Sequence, residues 1–143
     1  GCFATTVPET EDGQIVLLRQ YRHGIRRVAL TLPGGRIDAD EAPGAAAARE
    51  LLEETGYEAR EWLPMGCHTA SCTYGLSHNH YFHARGARKV REPIEPDIER
   101  GEVVLMDRAC ARQAMIDGEV ASMGHAFPLA LMLGGFYGKR EER

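Results

Sequence analysis

Residues 35–57 read GRIDADEAPGAAAARELLEETGY, and the rest of the chain is organised around this stretch. Its centre is rich in alanine, the residue with the highest helix propensity. Pro43 suits the first turn of a helix, where its missing N–H is no loss, and Gly56 suits a helix end. The stretch therefore predicts a helix over Pro43–Thr55.

The predicted helix has an acidic side and an apolar side, since successive residues are turned by about 100°. The acidic side carries three carboxylates within one turn and two alanines beside them: Glu50, Glu53, Glu54, Ala46 and Ala47. The other side is expected to pack against the domain: Ala45, Ala48, Leu51, Leu52 and Thr55. Crowded carboxylates repel each other, and hard oxygen ligands on a rigid helix suit Mg²⁺ or Mn²⁺. A solvated acidic face is the alternative for such a cluster alone.

Fixed offsets extend this pattern beyond the helix. Gly35 is followed after five residues by Glu41, and after seven more by RELLEETGY at residues 49–57. The arrangement resembles the Nudix box, G-x5-E-x7-R-E-U-x-E-E-x-G-U, in which U is a bulky apolar residue, and every specified position matches. The resemblance implies a single Nudix hydrolase domain over residues 1–143, an α/β fold with an α/β/α sandwich around a central mixed β-sheet. It also implies metal-dependent hydrolysis of a nucleoside diphosphate linked to another moiety.

The same resemblance implies roles for the polar residues of the box. Four groups are implied as metal ligands: the carbonyl of Gly34 and the carboxylates of Glu50, Glu53 and Glu54. Arg49 lies four residues before Glu53, so it can pair with Glu53 and orient it as part of the catalytic set. Glu41 is implied to be structural or to lie outside the ligand shell.

A general base is expected in the charged segment 85–102, RGARKVREPIEPDIERGE, which its prolines and glycines predict to be a surface loop. In Nudix enzymes of the ADP-ribose type, a loop at this position supplies a glutamate that activates water or binds a further metal. Counting back from a strand predicted at residues 103–106, the resemblance favours Glu99 as the catalytic base, with Glu53 second. Three more acidic residues of the loop remain open: Glu95, Asp97 and Glu102.

The motif RQYR at residues 19–22 bears on the substrate. It resembles the QYR signature of family members that act on ADP-ribose and nucleotide sugars. The resemblance implies that Arg22 binds a substrate phosphate through two N–H groups of its guanidinium. A strand end whose arginines extend into solvent is the alternative. Thr31 departs from the pattern, because ADP-ribose pyrophosphatases often have glutamate at this position.

Residues 68–77, HTASCTYGLS, resemble the family's S-P-G-x-S loop. The resemblance implies substrate contacts from Gly75 and Ser77, which match the loop. Tyr74 stands where ADP-ribose hydrolases often have proline. Its ring could bind substrate by stacking on a base or sugar, but packing against the protein itself is favoured.

Together these motifs favour an enzyme that uses Mg²⁺ or Mn²⁺ to hydrolyse the pyrophosphate bond of a nucleoside diphosphate sugar such as ADP-ribose. The products would be a nucleoside monophosphate and a sugar phosphate. A nucleoside triphosphate or dinucleoside polyphosphate pyrophosphohydrolase is the alternative among enzymes. A non-catalytic Nudix-fold nucleotide-sugar sensor is the alternative from another class, and the intact glutamates of the box disfavour it.

The composition is that of an ordinary globular enzyme: 143 residues, 43% hydrophobic, 27% charged, with a net charge of −4. This charge disfavours a nucleic-acid partner and fits an enzyme whose acidic site is neutralised by bound metal. A small-molecule nucleotide substrate is expected from the resemblance. No apolar run has the length of a membrane span and no signal peptide is evident, so a cytoplasmic protein is expected. An extra N-terminal segment that helps to form dimers in many ADP-ribose members is absent here, so a compact or trimmed member is expected and a homodimer stays open.

Four cysteines are predicted to be free thiols: Cys2, Cys67, Cys72 and Cys110. Two of them lie near four histidines, but the spacing matches no zinc module, so ordinary strand and loop residues are favoured over a zinc site.

The remaining pattern predicts strands and helices in alternation. Strands are expected at residues 2–7, 14–21, 28–32, 58–64, 79–84 and 103–106. Two more helices are expected at residues 107–117 and 124–133, followed by a charged tail at residues 139–143.

Overall fold

The structure is a computed structural model that describes residues 1–94 and 101–137. Within these residues it contains eight strands and three helices. The strands are β1 Cys2–Thr10, β2 Gln14–Arg22, β3 Arg27–Thr31, β4 Gly34–Arg36, β5 Tyr57–Glu58, β6 Glu61–Ser71, β7 Leu76–Lys89 and β8 Glu102–Asp107. The helices are α1 Pro43–Thr55, α2 Arg108–Ile116 and α3 Met123–Gly134.

The strands form one mixed sheet in the order β3-β2-β1-β7-β5, with β4 paired to β1, β6 to β7 and β8 to β2. The β1–β7 pair is parallel, and the other pairs are antiparallel. The parallel pair needs a long crossover, and the segment from β2 to β6, which includes α1, supplies it. The predicted central mixed sheet is confirmed.

Helices cover both faces of the sheet, so the predicted α/β/α sandwich is confirmed. On one face, Ala46 and Ala47 of α1 pack with Ala4 and Phe82 of the sheet. On the other face, α2 and α3 cover a larger core of aliphatic and aromatic side chains: Val7, Ile15, Leu17, Leu30, Tyr81, Ala111, Leu129 and Met132. Neighbouring residues of a strand point to opposite faces, so β2 contributes Ile15 and Leu17 to this larger core and Val16, in one cluster with Leu51 of α1, to the opposite face.

The prediction of α1 is confirmed at both ends. Pro43 occupies the first turn, and Gly56 ends the helix in the left-handed region, with φ of 75° and its N–H donated to the carbonyl of Leu52. A Cβ at Gly56 would also overlap the carbonyl oxygen of Arg91. Glycine is therefore required here both by the backbone conformation and by the close approach of the chain.

Two segments that the sequence predicts as loops are partly strand. Residues 68–77 form the end of the β6–β7 hairpin, in which Ser71 pairs with Leu76. Residues 85–89 continue β7, and Glu102 begins β8, so within the described part of the charged segment only residues 90–94 and Gly101 are irregular. β7 continues because β1 and β6 or β5 pair with it, and ladder hydrogen bonds outweigh its polar composition.

Smaller differences concern other boundaries. The strand predicted at residues 58–64 is divided into β5 and a longer β6. The two later helices lie where the sequence predicts them, and Asp107 caps α2 by accepting the N–H of Cys110 at 2.7 Å. All four cysteines are free thiols and exposed. None of the helices described is long and apolar enough to cross a membrane. The predicted tail at residues 139–143 lies outside the described residues.

Candidate active site

The acidic side of α1 is also the side that packs against the sheet. Leu51 and Thr55 are buried as predicted. Ala46 and Ala47 are also buried, whereas Ala45 and Ala48 are exposed, so the prediction of which alanines pack is wrong. The reason is that β1 and β4 lie against α1, and small residues there let the helix approach closely. The three glutamates of the box consequently lie half-buried at the helix–sheet junction and are not in open solvent: Glu50, Glu53 and Glu54.

The guanidinium of Arg49 forms hydrogen bonds with three glutamates of the box. Its Nε donates to Glu41 at 2.8 Å, and its Nη1 donates to Glu50 at 2.8 Å and to Glu53 at 3.4 Å. Its Nη2 reaches the carbonyl oxygen of Arg36 at 3.0 Å, which ties the helix to β4. The hydrogen bond from Arg49 lowers the pKa of Glu41 to about 2. The arginine therefore orients Glu41 and Glu50 through shorter hydrogen bonds than the one it makes to Glu53.

Glu54 makes the direct link between α1 and β4. Its Oε2 accepts the N–H of Gly34 at 3.0 Å. Burial raises the pKa of Glu54 to about 8, although that hydrogen bond and the charge of Arg22 act in the opposite direction. Burial also raises the pKa of Glu50, against the opposing effect of Arg49. Two carboxylates are thus held where their negative charge is poorly solvated, as expected of groups that gain from a bound cation.

The donor set fits a hard divalent cation in its chemistry, since the groups are carboxylate oxygens on a rigid helix beside backbone carbonyls. The arrangement is not a preformed chelate. In residues 1–94 and 101–137, no group of three or more histidine, cysteine, aspartate or glutamate side chains converges closely enough to hold a metal. The carboxylates of Glu50 and Glu53 accept hydrogen bonds from Arg49, and that of Glu54 accepts one from Gly34. A cation would therefore have to bind beside these donors or displace them.

Two consecutive glycines allow the close approach of β4 to its neighbours. A Cβ at Gly34 would overlap the backbone carbonyl oxygen of Ala4 in β1. A Cβ at Gly35 would instead overlap the carboxylate of Glu50. The first position therefore serves the packing of the sheet, and the second makes room for a predicted metal ligand.

The two glycines are expected to respond differently to alanine. Gly34→Ala should lower the free energy of unfolding by about 1–3 kcal/mol, because a backbone strand must shift. Gly35→Ala should cost less stability but lower kcat about 10–100-fold, because the Glu50 carboxylate is displaced. Thermal unfolding and steady-state kinetics measure the two effects, with Gly24→Ala as the control, since a Cβ at Gly24 meets nothing within 4 Å. Because Gly34 also carries a predicted metal-ligand carbonyl, kcat should fall in both variants. An equal loss of stability in both would contradict this division of roles.

A cavity of about 560 Å³ lies between α1, β2 and β8. Arg22 and Glu54 both line it, as do Gln20, Ile94 and Gly101. The sequence-predicted phosphate-binding arginine and one predicted metal ligand are thus brought to the same cavity. Ile94 and Gly101 are the described residues that flank the segment 95–100.

Thr31, which departs from the ADP-ribose pattern, acts on this cavity through Gln20. Thr31 is buried, and its hydroxyl donates to the side-chain oxygen of Gln20 at 2.9 Å. At the position where the resemblance leads us to expect glutamate, this chain thus has a neutral hydroxyl that orients an amide at the cavity wall.

The structure does not bring the other predicted substrate residues to this cavity. Tyr74 and Gly75 lie in the β6–β7 turn and Ser77 just after it, and none of the three lines the cavity. The ring of Tyr74 is 77% exposed, so the expectation that it packs on the protein is wrong. The turn projects beyond the sheet, where no neighbouring core can cover an aromatic ring.

The predicted base falls outside the described residues, as do two of its alternatives: Glu99, Glu95 and Asp97. Glu102 is described, and it begins β8, where its carboxylate lies 3.3 Å from the guanidinium of Arg19. One polar residue near the site has no signal in the sequence. His125 of α3 accepts the N–H of Leu32 across a separation of 93 residues, and no local pattern reports such a contact.

The chain is similar to several known proteins over most of its length. A NUDIX domain model matches residues 4–126. The ADP-ribose pyrophosphatase of Bacillus subtilis (strain 168) is 31% identical over 68% of this chain and 55% of its own length. That of Mycobacterium tuberculosis (strain ATCC 25618 / H37Rv) is 34% identical over 78% of this chain and 55% of its own length. The chain therefore spans about half the length of these curated relatives.

A solved structure shares the fold. The crystal structure of an ADP compounds hydrolase superposes with a TM-score of 0.80 at 23% identity. The match covers 94% of this chain and 72% of the other.

Proposed function

The chain belongs to the Nudix hydrolase family, and from that premise we propose that it hydrolyses the pyrophosphate bond of a nucleoside diphosphate sugar such as ADP-ribose. The products are a nucleoside monophosphate and a sugar phosphate. The observation that carries the proposal is the cavity lined by both Arg22 and Glu54, in which a guanidinium and a poorly solvated carboxylate share one space. We propose that this guanidinium binds a phosphate of the substrate. The names of the two bacterial relatives support ADP-ribose as the first substrate to test.

We assign the metal to Glu50, Glu53, Glu54 and the carbonyl of Gly34, with Mg²⁺ or Mn²⁺ as the ion. Nudix hydrolases generally use a divalent metal. When bound, such an ion offsets the negative charge of the pyrophosphate and makes water a better nucleophile. Arg49 would hold Glu50 and Glu53 in their orientation through the hydrogen bonds described above.

The remaining chemistry falls to side chains of the cavity and of the adjoining charged segment. Arg22 would bind a substrate phosphate and favour its departure by electrostatic contact. We propose Glu99 as the group that accepts the proton of the attacking water, with Glu53, Glu95 and Asp97 as the alternatives. Glu102 is less suited, because its carboxylate is paired with Arg19.

Further features of the proposal concern substrate contacts and cellular context. Tyr74, Gly75 and Ser77 would reach only a substrate part that extends beyond the cavity, and the exposed ring of Tyr74 is free to stack on it. We propose a small-molecule nucleotide substrate in the cytoplasm and no nucleic-acid partner, since a net charge of −4 disfavours binding to nucleic acid. A homodimer remains part of the proposal, to be tested by the mass of the protein in solution.

A substrate panel tests the function. It consists of ADP-ribose, GDP-mannose, UDP-glucose, NADH, diadenosine polyphosphates and nucleoside triphosphates, each with Mg²⁺, with Mn²⁺ and with EDTA. We expect AMP and ribose phosphate from ADP-ribose, and no products in EDTA. Preference for a triphosphate or a dinucleoside polyphosphate would show that Thr31 and Tyr74 mark a different specificity. ADP-ribose binding without turnover of any compound would support the sensor alternative.

A further inference from the structure

The connection from β3 to β4 is held at three consecutive residues by three different elements. The N–H of Leu32 donates to Nδ1 of His125 at 3.0 Å, the carbonyl of Pro33 accepts the N–H of Thr6 at 2.9 Å, and the N–H of Gly34 donates to Glu54 at 3.0 Å. The contacts come from α3, β1 and α1 respectively. The same short connection thus carries a predicted metal-ligand carbonyl and links α3, on the opposite face of the sheet, to the acidic cluster.

His125 is built to accept this hydrogen bond. It lies in the first turn of α3, which begins at Ser122, whose hydroxyl accepts the N–H of Gly124 at 3.2 Å. A backbone N–H can only donate, so Nδ1 must be the unprotonated ring nitrogen. Burial, with the nearby charge of Arg22, lowers the pKa of His125 to about 4, which keeps the ring neutral around pH 7. Leu32 is 2% exposed, so no water replaces the histidine at its N–H.

We propose that His125 is a positioning residue for hydrolysis: by holding Leu32, it sets the location of Gly34 relative to Glu54. The proposal rests on the proposed function for its kinetic consequence. Pro33 lies between the two contacts, and its ring fixes its own φ and restricts the conformation of Leu32. A displacement at Leu32 is therefore passed along a stiff segment to Gly34. Gly34 has no side chain to anchor it, so its position depends on its backbone contacts with β1 and on its hydrogen bond to Glu54.

Three variants separate positioning from general stability. His125→Asn keeps an acceptor close to the location of Nδ1, whereas His125→Leu has similar bulk and no acceptor. Ser122→Ala weakens the start of α3 but leaves His125 in place, so it is the control for a loosened helix. We expect His125→Leu to lower kcat about 10–100-fold with KM nearly unchanged. His125→Asn should restore most of kcat, and Ser122→Ala should lower Tm while keeping kcat.

Amide hydrogen exchange followed by NMR tests the same inference without substrate or metal. In His125→Leu, the amides of Leu32 and Gly34 should exchange at least about tenfold faster than in the unsubstituted protein, and in His125→Asn they should stay protected. Unchanged protection and unchanged kcat in His125→Leu would overturn the proposal. Equal loss of kcat in Ser122→Ala would overturn it as well, since a loosened helix would then suffice. If the unsubstituted protein hydrolyses nothing, the proposed function fails and the exchange result alone decides whether His125 positions Gly34.

Discussion

Glu54→Gln is expected to lower turnover by a factor on the order of 10²–10³ while the protein stays folded. The substitution keeps the shape of the side chain and an oxygen that can accept the N–H of Gly34. It removes the negative charge that we assign to metal binding. The loss should therefore appear in kcat and in Mn²⁺ affinity, and the amide should preserve the contact between α1 and β4.

The same variant should be more stable than the unsubstituted protein when no metal is present. The pKa of Glu54 is about 8 in the folded protein against 4.5 in an exposed carboxyl group, so folding disfavours its ionised form. The free energy of unfolding of the unsubstituted protein therefore falls as the pH rises from 4.5 to 8. Glu54→Gln should not show this decrease, because glutamine does not ionise. At pH 7 its free energy of unfolding should be higher by about 1–3 kcal/mol, and the gain should shrink towards pH 4.5.

Denaturant unfolding at pH 5 and pH 8, with EDTA, measures this difference. Glu58→Gln is the matched control, because Glu58 is exposed and lies in β5, just beyond α1. Near-normal turnover of Glu54→Gln would show that the metal assignment is wrong. A loss of stability that is equal at both pH values would show that Glu54 is not desolvated in the folded protein.

Local signals explain why the sequence predicts α1 to the residue at both ends. Pro43 and Gly56 each act through backbone geometry alone, so no distant contact is needed to locate the helix. The sequence predicts the buried face of the helix only in part: Leu51 and Thr55 are buried as expected, but the alanines are assigned incorrectly because a helical projection assigns carboxylates to water. In the structure, Ala46 and Ala47 face the sheet on the side that carries Glu50 and Glu54. The rule that carboxylates face water does not apply in a functional site, because such a site holds charged side chains where solvation is poor.

Other features depend on partners that are distant in sequence. Residues 85–89 look like a loop by composition and form strand because β1, β5 and β6 pair with β7. The contact between His125 and Leu32 joins two elements that no sequence period connects. The hydrogen bond from Gly34 to Glu54 likewise depends on the tertiary approach of β4 to α1. The box thus predicts which residues belong to the site. Only the fold shows which hydrogen bonds position their side chains.

Arg49→Met is expected to affect both stability and activity, because one guanidinium holds three glutamates and a backbone carbonyl. Turnover should fall about 10–100-fold as Glu50 and Glu53 lose their orientation. The free energy of unfolding should fall by about 1–2 kcal/mol, less than for a fully buried pair, since the Arg49 side chain is 30% exposed. Arg49→Lys is the matched control: it keeps the charge but cannot bind several acceptors through a planar fork. We expect it to restore stability more fully than turnover.

The pH dependence of the Arg49→Met defect identifies its cause. The hydrogen bond from Arg49 lowers the pKa of Glu41 to about 2, so the pair stabilises the fold fully above the unfolded value of 4.5. This contribution is lost as the pH falls from 4.5 towards 2, and the difference in Tm between variant and unsubstituted protein should narrow over the same range. NMR titration should show the pKa of Glu41 rising towards 4.5 in Arg49→Met. A difference in Tm that stays constant down to pH 2 would mean that Arg49 stabilises α1 through the packing of its hydrocarbon stem, and that the glutamates do not depend on it for their arrangement.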